Sequence, residues 1–469
     1  MTRATLKDQD RNIHVVNEIV DNGLCVRCGA CEPSCPVDII RFDEDAYPYL
    51  TDESACLQGC VRCLKICPGE KVDFAALDQK MFGVSPNPRS ITGIARRALV
   101  TYSTEQQLRE AATSGGFVTQ LLSFLLEQGE IDGALVLGAE SGEGGWTEKP
   151  FIARSVEDLR SAIKSKYRLV PYLRVLNEIE QVEGRYAVVA LPCHLHALHK
   201  YGKSTRKVQK RIALTIGLYC NISFEPKVLS EVCEFNGVEA KEVKSLDFRA
   251  GQWPGGVWAT MVDGTQKKVL KQEEMKDEFN LLKQFYTPDR CYMCIDFSAE
   301  HCDLAVGDPW LRGPDGSYLY PDNRTTVLTR TALGDDVVRR AMDAGVIGGH
   351  DIPLETWMVN FERSADFKRS FVPQFIDIHR RLGYRVPDYN RDVPLGTPKQ
   401  YVMAAVGVLQ QHLVRYKWVR RLGLWLAQTP PALAYFRWNR KHKARRFARK
   451  YPAWRKAVAG MMPAAPKDN

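Results

Sequence analysis

Residues 25–36 read CVRCGACEPSCP and residues 56–68 read CLQGCVRCLKICP. The first run sets thiols at Cys25, Cys28, Cys31 and Cys35, with Pro36 after the last. In that spacing three close thiolates grip one face of a 4Fe-4S cube and the fourth reaches over to a neighbouring cube. The second run repeats it at Cys56, Cys60, Cys63 and Cys67 before Pro68, with one extra residue in the first gap, at Leu57-Gln58-Gly59. Exchange of the fourth ligand then predicts Cys25, Cys28, Cys31 and Cys67 around one cluster and Cys56, Cys60, Cys63 and Cys35 around the other. A pair of zinc sites is the competing reading. Zinc held by four cysteines, however, usually takes two ligands and then two more, and has no need of a trailing Cys-Pro. A small ferredoxin-like domain with two 4Fe-4S clusters is expected over residues 15–75, passing electrons one at a time.

Eight of the 14 cysteines fall in these two runs. The chain has 469 residues, 45% hydrophobic and 26% charged, enough apolar material for a globular protein of two or three domains. No run of 18 apolar residues occurs, and the N-terminus carries acids where a secretion signal needs an apolar stretch. A cytoplasmic setting is therefore expected, where thiols stay reduced and cofactor ligation explains their number better than disulfides do.

After the prolines at 86 and 88 the text changes character. Short β-branched runs (ALVTYS, GALVLG, YAVVAL, RIALTIGLY, DLAVGD, TTVLTR) alternate with helical periodicity such as FVTQLLSFLLEQG. This predicts a mixed α/β domain of catalytic size over residues 95–385. No Gly-x-Gly-x-x-Gly opens a helix after a strand, and neither a Walker loop nor His-Glu-x-x-His occurs, which excludes the usual nicotinamide domain.

A second set of cysteines lies in this domain. Cys193 follows YAVVAL, Cys220 ends RIALTIGLY, and Cys291 and Cys294 form a Cys-x2-Cys. The first two sit at predicted C-terminal strand ends, the edge where open α/β sheets present ligands, so the four thiols are candidates for a third 4Fe-4S cluster. Cys233 and Cys302 read as small buried hydrophobes. His194, His196 and His199 read as satisfied positions on a helix face.

Other candidates are Ser114-Gly115-Gly116, Lys166, Tyr167 and Asp308. The glycines would let amides at a helix N-terminus approach an anion such as a dinucleotide pyrophosphate; an ordinary N-cap by Ser114 is the alternative. Lys166 would offset phosphate charge or stabilise a reduced flavin, or is a solvated lysine. Tyr167 would stack or donate a hydrogen bond. Asp308 would orient flavin or substrate at a strand end, or merely starts an Asp-Pro turn.

Thr113-Ser114-Gly115-Gly116, Ser165-Lys166-Tyr167, Leu191-Pro192-Cys193, Gly217-Leu218-Tyr219-Cys220 and CYMCIDFSAEHCDLAVGDPW (residues 291–310) occur in one order. Together they resemble the coenzyme F420 hydrogenase/dehydrogenase beta-subunit family, which includes 7-hydroxymethyl chlorophyll a reductase, over roughly residues 20–345. The resemblance implies an FAD-bearing domain whose cluster cysteines match Cys193, Cys220, Cys291 and Cys294, connected to the ferredoxin-type pair. The implied activity is that of an iron-sulfur flavoprotein oxidoreductase exchanging electrons with coenzyme F420 or an analogous redox partner. The competing readings are a ferredoxin-dependent reductase of an organic substrate and a non-catalytic electron-transfer subunit of a larger complex.

The net charge of +9 hides an asymmetry: residues 393–467 hold 16 Lys and Arg and no acid, against 49 basic and 56 acidic residues elsewhere. This basic helical tail, residues 393–469, interleaves cations from Arg415 to Lys450 with aromatics from Trp418 to Tyr451 and Trp454. Such a mixture suits peripheral contact with the inner face of an anionic membrane through residues 393–467; docking on a partner subunit is the alternative, and nucleic acid is not expected.

Overall fold

A computed structural model describes residues 13–450 apart from 88–89, 143–144, 252–254, 274 and 312–317. Tyr451 and Trp454 of the tail lie outside the described residues. The strands in chain order are β1 (Ile40–Phe42), β2 (Pro48–Leu50), β3 (Arg97–Ser103), β4 (Gly133–Gly142), β5 (Gly145–Ala153), β6 (Tyr186–Ala190), β7 (Ile212–Leu218), β8 (Val243–Ala250), β9 (Gly256–Met261), β10 (Gln266–Lys268), β11 (Leu304–Gly307), β12 (Thr325–Thr329) and β13 (Ile347–Ile352). The architecture is mixed α/β, with the cysteine-rich segment at the N-terminal end and helices at the C-terminal end.

Eight strands form one sheet in the order β13-β3-β12-β11-β7-β6-β4-β5. Its middle, β11-β7-β6-β4, is parallel, and antiparallel strands close both edges. The six apolar runs supply all four parallel strands along with β3 and β12. Parallel strands must be covered on both faces, which is why Val188, Leu214, Ile216 and Leu304 are buried whichever way they point. The parallel strands end together, and Cys193, Cys220 and Asp308 follow β6, β7 and β11 at that edge.

Two one-turn helices, Cys31–Ser34 and Arg62–Lys65, hold Cys31 and Cys63, the other N-terminal thiols lie in the turns beside them, and the hairpin β1-β2 separates the two cysteine runs. Among the described residues the apolar side chains of this segment join those of the sheet domain: Val15, Ile19, Leu24 and Ala30 share one apolar cluster with Tyr172, Leu173, Ala197 and Tyr201. Gly29 shows how close the two parts come. It takes a left-handed conformation, and a Cβ there would lie 2.6 Å from the Pro171 carbonyl carbon. Helix α1 (Phe74–Phe82), N-capped by Asp73, completes the contact.

A second, three-stranded sheet, β10-β9-β8, packs with helix α2 (Met275–Tyr286) around Phe224, Phe248 and Leu282. Glu278 is buried there, accepting from the Val257 N–H at 2.8 Å with Lys268 at 3.5 Å. Burial pushes its carboxyl up to about 7. Between the ordinary carboxylate range and pH 7 the folded chain therefore keeps a proton that the unfolded chain has released, and stability falls as pH rises through that window. Glu278→Gln keeps the acceptor and is expected to stabilise the fold at pH 8 by on the order of 2 kcal/mol while changing little at pH 4.5. Urea midpoints of both proteins at the two pH values check this; parallel shifts would refute it.

The C-terminal residues form α3 (Pro398–Val414), α4 (Lys417–Ala427) and α5 (Pro430–Lys450). Thr397 and Gln400 make a capping box at the start of α3. Ala404, Val408 and Leu424 are the points where the appendage is buried against the body. Among the described residues no helix is long and apolar enough to cross a membrane.

Candidate functional site

The N-terminal thiols lie near one another. Burial pushes the Cys25 thiol up to about 12, with Cys67 adding to the rise. Burial likewise raises Cys28 and Cys31, again with a contribution from Cys67. Cys56 is raised by burial and then by Cys60 and Cys35. Cys67 thus lies near Cys25, Cys28 and Cys31, and Cys35 near Cys56, while Cys31 also feels Cys63. Thiols that oppose one another's ionisation need a cationic centre before they can all be thiolates, which fits inorganic iron-sulfur cores. Backbone N–H groups of Arg27 and Gly69 also approach Cys25 and Cys67 sulfur at 3.3 Å, the outer-shell donors such clusters use.

The four distant cysteines converge at the sheet edge. Burial raises Cys193, and Cys220, Cys294, Cys291 and then Cys28 raise it further. The third set therefore adjoins the first. Arg290, fully buried, bridges them: it donates to the Gly69 carbonyl at 3.0 Å, two residues past Cys67, and to the Met293 carbonyl at 3.1 Å, inside the Cys-x2-Cys loop. Lys368 is a second buried cation, donating to the Cys291 carbonyl at 3.2 Å and easing ionisation of Cys220 and Cys291. A fixed cation favours the more reduced, more negative state of a cluster beside it. For a 4Fe-4S cluster held by the third set, Lys368→Met is expected to lower the midpoint potential by on the order of 50 mV, leaving any cluster of the N-terminal sets unmoved. An anaerobic redox titration followed by electron paramagnetic resonance would check it, with Lys368→Arg restoring the value.

Beside the third set opens a cavity of about 2260 Å³, lined by Ser114, Gly116, Lys166, Tyr167, Cys220 and Asp308 among others. Pockets for drug-sized molecules run to roughly 1000 Å³, so this one has room for a dinucleotide and a second large molecule. Gly115 and Gly116 both adopt left-handed conformations and bring the chain into the helix Phe117–Glu127. A Cβ on Gly115 would lie 2.8 Å from Arg324 Cα, so packing as well as any anion requires glycine there. Ser114 is not the helix cap. Its hydroxyl donates to Asp308, the acceptor that Arg249 also engages, at 2.6 Å from Nη1. Arg249 is almost wholly buried and lies 5.3 Å from the Trp310 ring centroid.

Lys166 lines the cavity, and its ammonium group is already engaged by the carbonyls of Ala162, Ile163 and Lys164 at 3.0, 2.9 and 3.1 Å. Burial pushes it down to about 8. Tyr167 stands edge-on to Phe279, ring centroids 4.3 Å apart. Two of the three histidines are satisfied: His196 by Asp296 at 3.2 Å and His199 by the His301 carbonyl at 2.9 Å. His194 departs from that expectation. It stacks on Tyr172 (4.9 Å, 12°), lines the cavity and has neither ring nitrogen hydrogen-bonded. Cys302 is buried and donates to two backbone carbonyls, and Cys233 lies in the core under the second sheet.

Arg249, Arg290, Lys368 and the role of His194 were not found by reading the sequence. The three cations act across 59, 221 and 77 residues of chain and His194 stacks on a ring 22 residues away, and nothing local marks a lysine or arginine as buried. The strand-end rule did find Cys193, Cys220 and Asp308.

Comparison with known proteins agrees with this arrangement. The 4Fe-4S binding domain pattern matches residues 18–41, and the patterns described as coenzyme F420 hydrogenase/dehydrogenase, beta subunit N-term and C terminus match residues 98–177 and 183–354. The chain is 32% identical over 337 residues to the coenzyme F420-dependent sulfite reductase of Methanocaldococcus jannaschii, covering 69% of this chain and 46% of that protein. It therefore spans less than half of that relative's length. It is 29% identical over 262 residues to the coenzyme F420 hydrogenase subunit beta of Methanothermobacter thermautotrophicus, covering 55% of this chain and 84% of that one. In fold it is similar to a chain of the F420-reducing [NiFe] hydrogenase complex from Methanosarcina barkeri, with TM-score 0.50 and 22% identity over 64% of this chain and 97% of that one. With both halves of the sheet domain matched in order behind a 4Fe-4S segment, the chain belongs to the coenzyme F420 hydrogenase/dehydrogenase beta-subunit family.

Proposed function

We propose that this chain is an FAD- and iron-sulfur-dependent oxidoreductase that exchanges electrons between a one-electron partner and a two-electron substrate, coenzyme F420 or an analogous compound. One observation carries the reading: the third thiol set stands between the N-terminal sets and the cavity, Cys193 feeling Cys28 on one side and Cys220 lining the cavity on the other. Clusters, when bound, pass single electrons, and a flavin converts these to two-electron hydride chemistry.

The protein's own groups have distinct tasks. Cys35, Cys56 and Cys60 are partly exposed, while Cys28, Cys31, Cys63 and Cys67 are buried, so a redox protein would meet the set containing Cys56 first. The Arg249–Asp308–Ser114 constellation and the amide end of the helix after Gly116 would orient a dinucleotide. His194, which burial pushes down to about 3, stays neutral and presents a hydrogen-bond donor to whatever the cavity holds. The charge pattern of the tail supports a peripheral position on the inner face of a membrane.

The test is an iron, sulfide and flavin count on protein purified without oxygen, followed by mixing with reduced coenzyme F420 and, separately, reduced ferredoxin. Bleaching of bound flavin by reduced F420 is the expected result. Bleaching by ferredoxin alone would favour the reductase of an organic substrate. Clusters without flavin, even after reconstitution, would leave only the electron-transfer subunit and overturn the proposal.

A further inference from the structure

Helices α3 to α5 meet the body in a manner that inverts the usual arrangement of a surface helix. Several of their cations pair with acids of the body: Arg420, buried, with Glu231, and at the surface Arg415 with Asp289 at 2.7 Å, Lys417 with Glu234 at 2.9 Å and Arg437 with Glu273 at 2.9 Å. Their large apolar residues turn outward. Val402, Val406 and Leu409 on α3 and Trp418, Leu422 and Trp425 on α4 are between 48% and 66% exposed. Spacings of four, three, four and three within these two groups put each group on one helical face. An apolar face this continuous marks an interaction surface rather than a water-facing one.

Charge names the occupant. After Trp438, helix α5 runs through RKHKARRFARK, residues 440–450, seven Lys and Arg without an acid, and the whole stretch 393–467 has none. A protein interface of ordinary composition would not need such a one-signed excess, whereas indole rings beside a polybasic helix are the combination that interfacial helices bring to anionic lipid. Met403 and Trp438 extend the argument to the cavity: both line it, and both are 59% exposed, which places them at its rim.

We propose that α3, α4 and α5 lay this apolar face on an anionic lipid bilayer and so hold the rim of the cavity beside the membrane surface. Docking stands independently of the chemistry; the meaning of the rim rests on the redox reading above. A molecule entering past Met403 and Trp438 would then come along the lipid surface, which fits an amphiphilic substrate with a reducible polar head.

The experiment uses the full chain, purified without oxygen, sedimented with vesicles of phosphatidylcholine alone or with phosphatidylglycerol added. Pelleting only with the anionic vesicles, weakened by salt and accompanied by a blue shift of tryptophan emission, is expected. The double variant Trp418→Ser, Trp425→Ser should partition roughly tenfold more weakly while keeping wild-type iron and flavin contents. No pelleting on either vesicle, or equal pelleting of the variant, overturns the docking. Equal binding to both vesicles overturns the role given to charge. If wild-type protein ignores vesicles but forms a stable protein complex that the variant cannot, the face belongs to a protein partner and the lipid proposal fails. Iron and flavin contents measured on the same samples report on the redox reading separately.

Discussion

If all three thiol sets hold 4Fe-4S clusters as proposed above, Cys193→Ala is expected to reduce iron from about twelve to about eight atoms per chain, because it removes one ligand of the third set and leaves both ferredoxin-type sets intact. Cys193 is the thiol through which that set adjoins Cys28, and Cys220 is the one that lines the cavity. Without the cluster between them, electrons must cross from the N-terminal sets to the cavity in one long step. Reduction of bound flavin by a one-electron donor should slow by roughly a thousandfold or more, while its reduction by a two-electron donor stays near wild type. Metal analysis and stopped-flow bleaching read the two effects. Unchanged iron with unchanged bleaching would mean that the four thiols hold nothing. Because Cys193 is half-buried at the start of a 13-residue helix, an alanine there is compatible with folding.

If the cavity holds flavin as proposed above, Arg249→Leu is expected to abolish its retention, the ratio to protein falling from about one to below about 0.1; the substitution should also cost roughly 3–5 kcal/mol in stability. The guanidinium is the buried partner of Asp308, and its removal leaves that carboxylate with the Ser114 hydroxyl as its only other described hydrogen-bond partner. The two consequences separate in the double variant Arg249→Leu, Asp308→Asn. Replacing the stranded carboxylate by an amide should recover most of the stability but none of the flavin. Arg249→Lys, which keeps the charge and loses the two-pronged donor, should sit between. Flavin measured after gel filtration and urea midpoints decide it; flavin retained by Arg249→Leu would show that the constellation serves the fold alone.

Much of this site was legible before folding because its logic is local. Four thiols within eleven residues followed by proline constrain one another through the chain itself, so Cys25 to Cys67 could be divided into two sets from spacing alone. The parallel strands were equally legible: a strand covered on both faces is mostly apolar, as YAVVAL is and as RIALTIGLY is apart from Arg211 and Thr215. The edge strands β5 and β13 and the sheet β8-β9-β10 were not, since half-exposed strands dilute the apolar signal with lysine, glutamate and glycine.

Lys166 and Ser114 mark the limit in the other direction. Their types and positions suited an anion, but the structure shows the ammonium spent on three carbonyls and the hydroxyl spent on Asp308. A side chain's partner depends on what the rest of the fold brings near it. The tail gave a similar lesson, as its first cations meet acids of the body and its apolar residues face outward.

The sequence by itself determined the class of the fold and the sheet edge at which Cys193, Cys220 and Asp308 lie, because those follow from spacings and periodicities along one chain. Only the tertiary structure decided that Cys193, Cys220, Cys291 and Cys294 meet, that Arg290 joins their loop to Cys67-Pro68-Gly69, and that Arg249 faces Asp308. The Arg249–Asp308 and Arg290–Gly69 contacts join residues 59 and 221 positions apart, and the meeting of the thiols depends on the register of β6, β7 and β11, which no local pattern encodes.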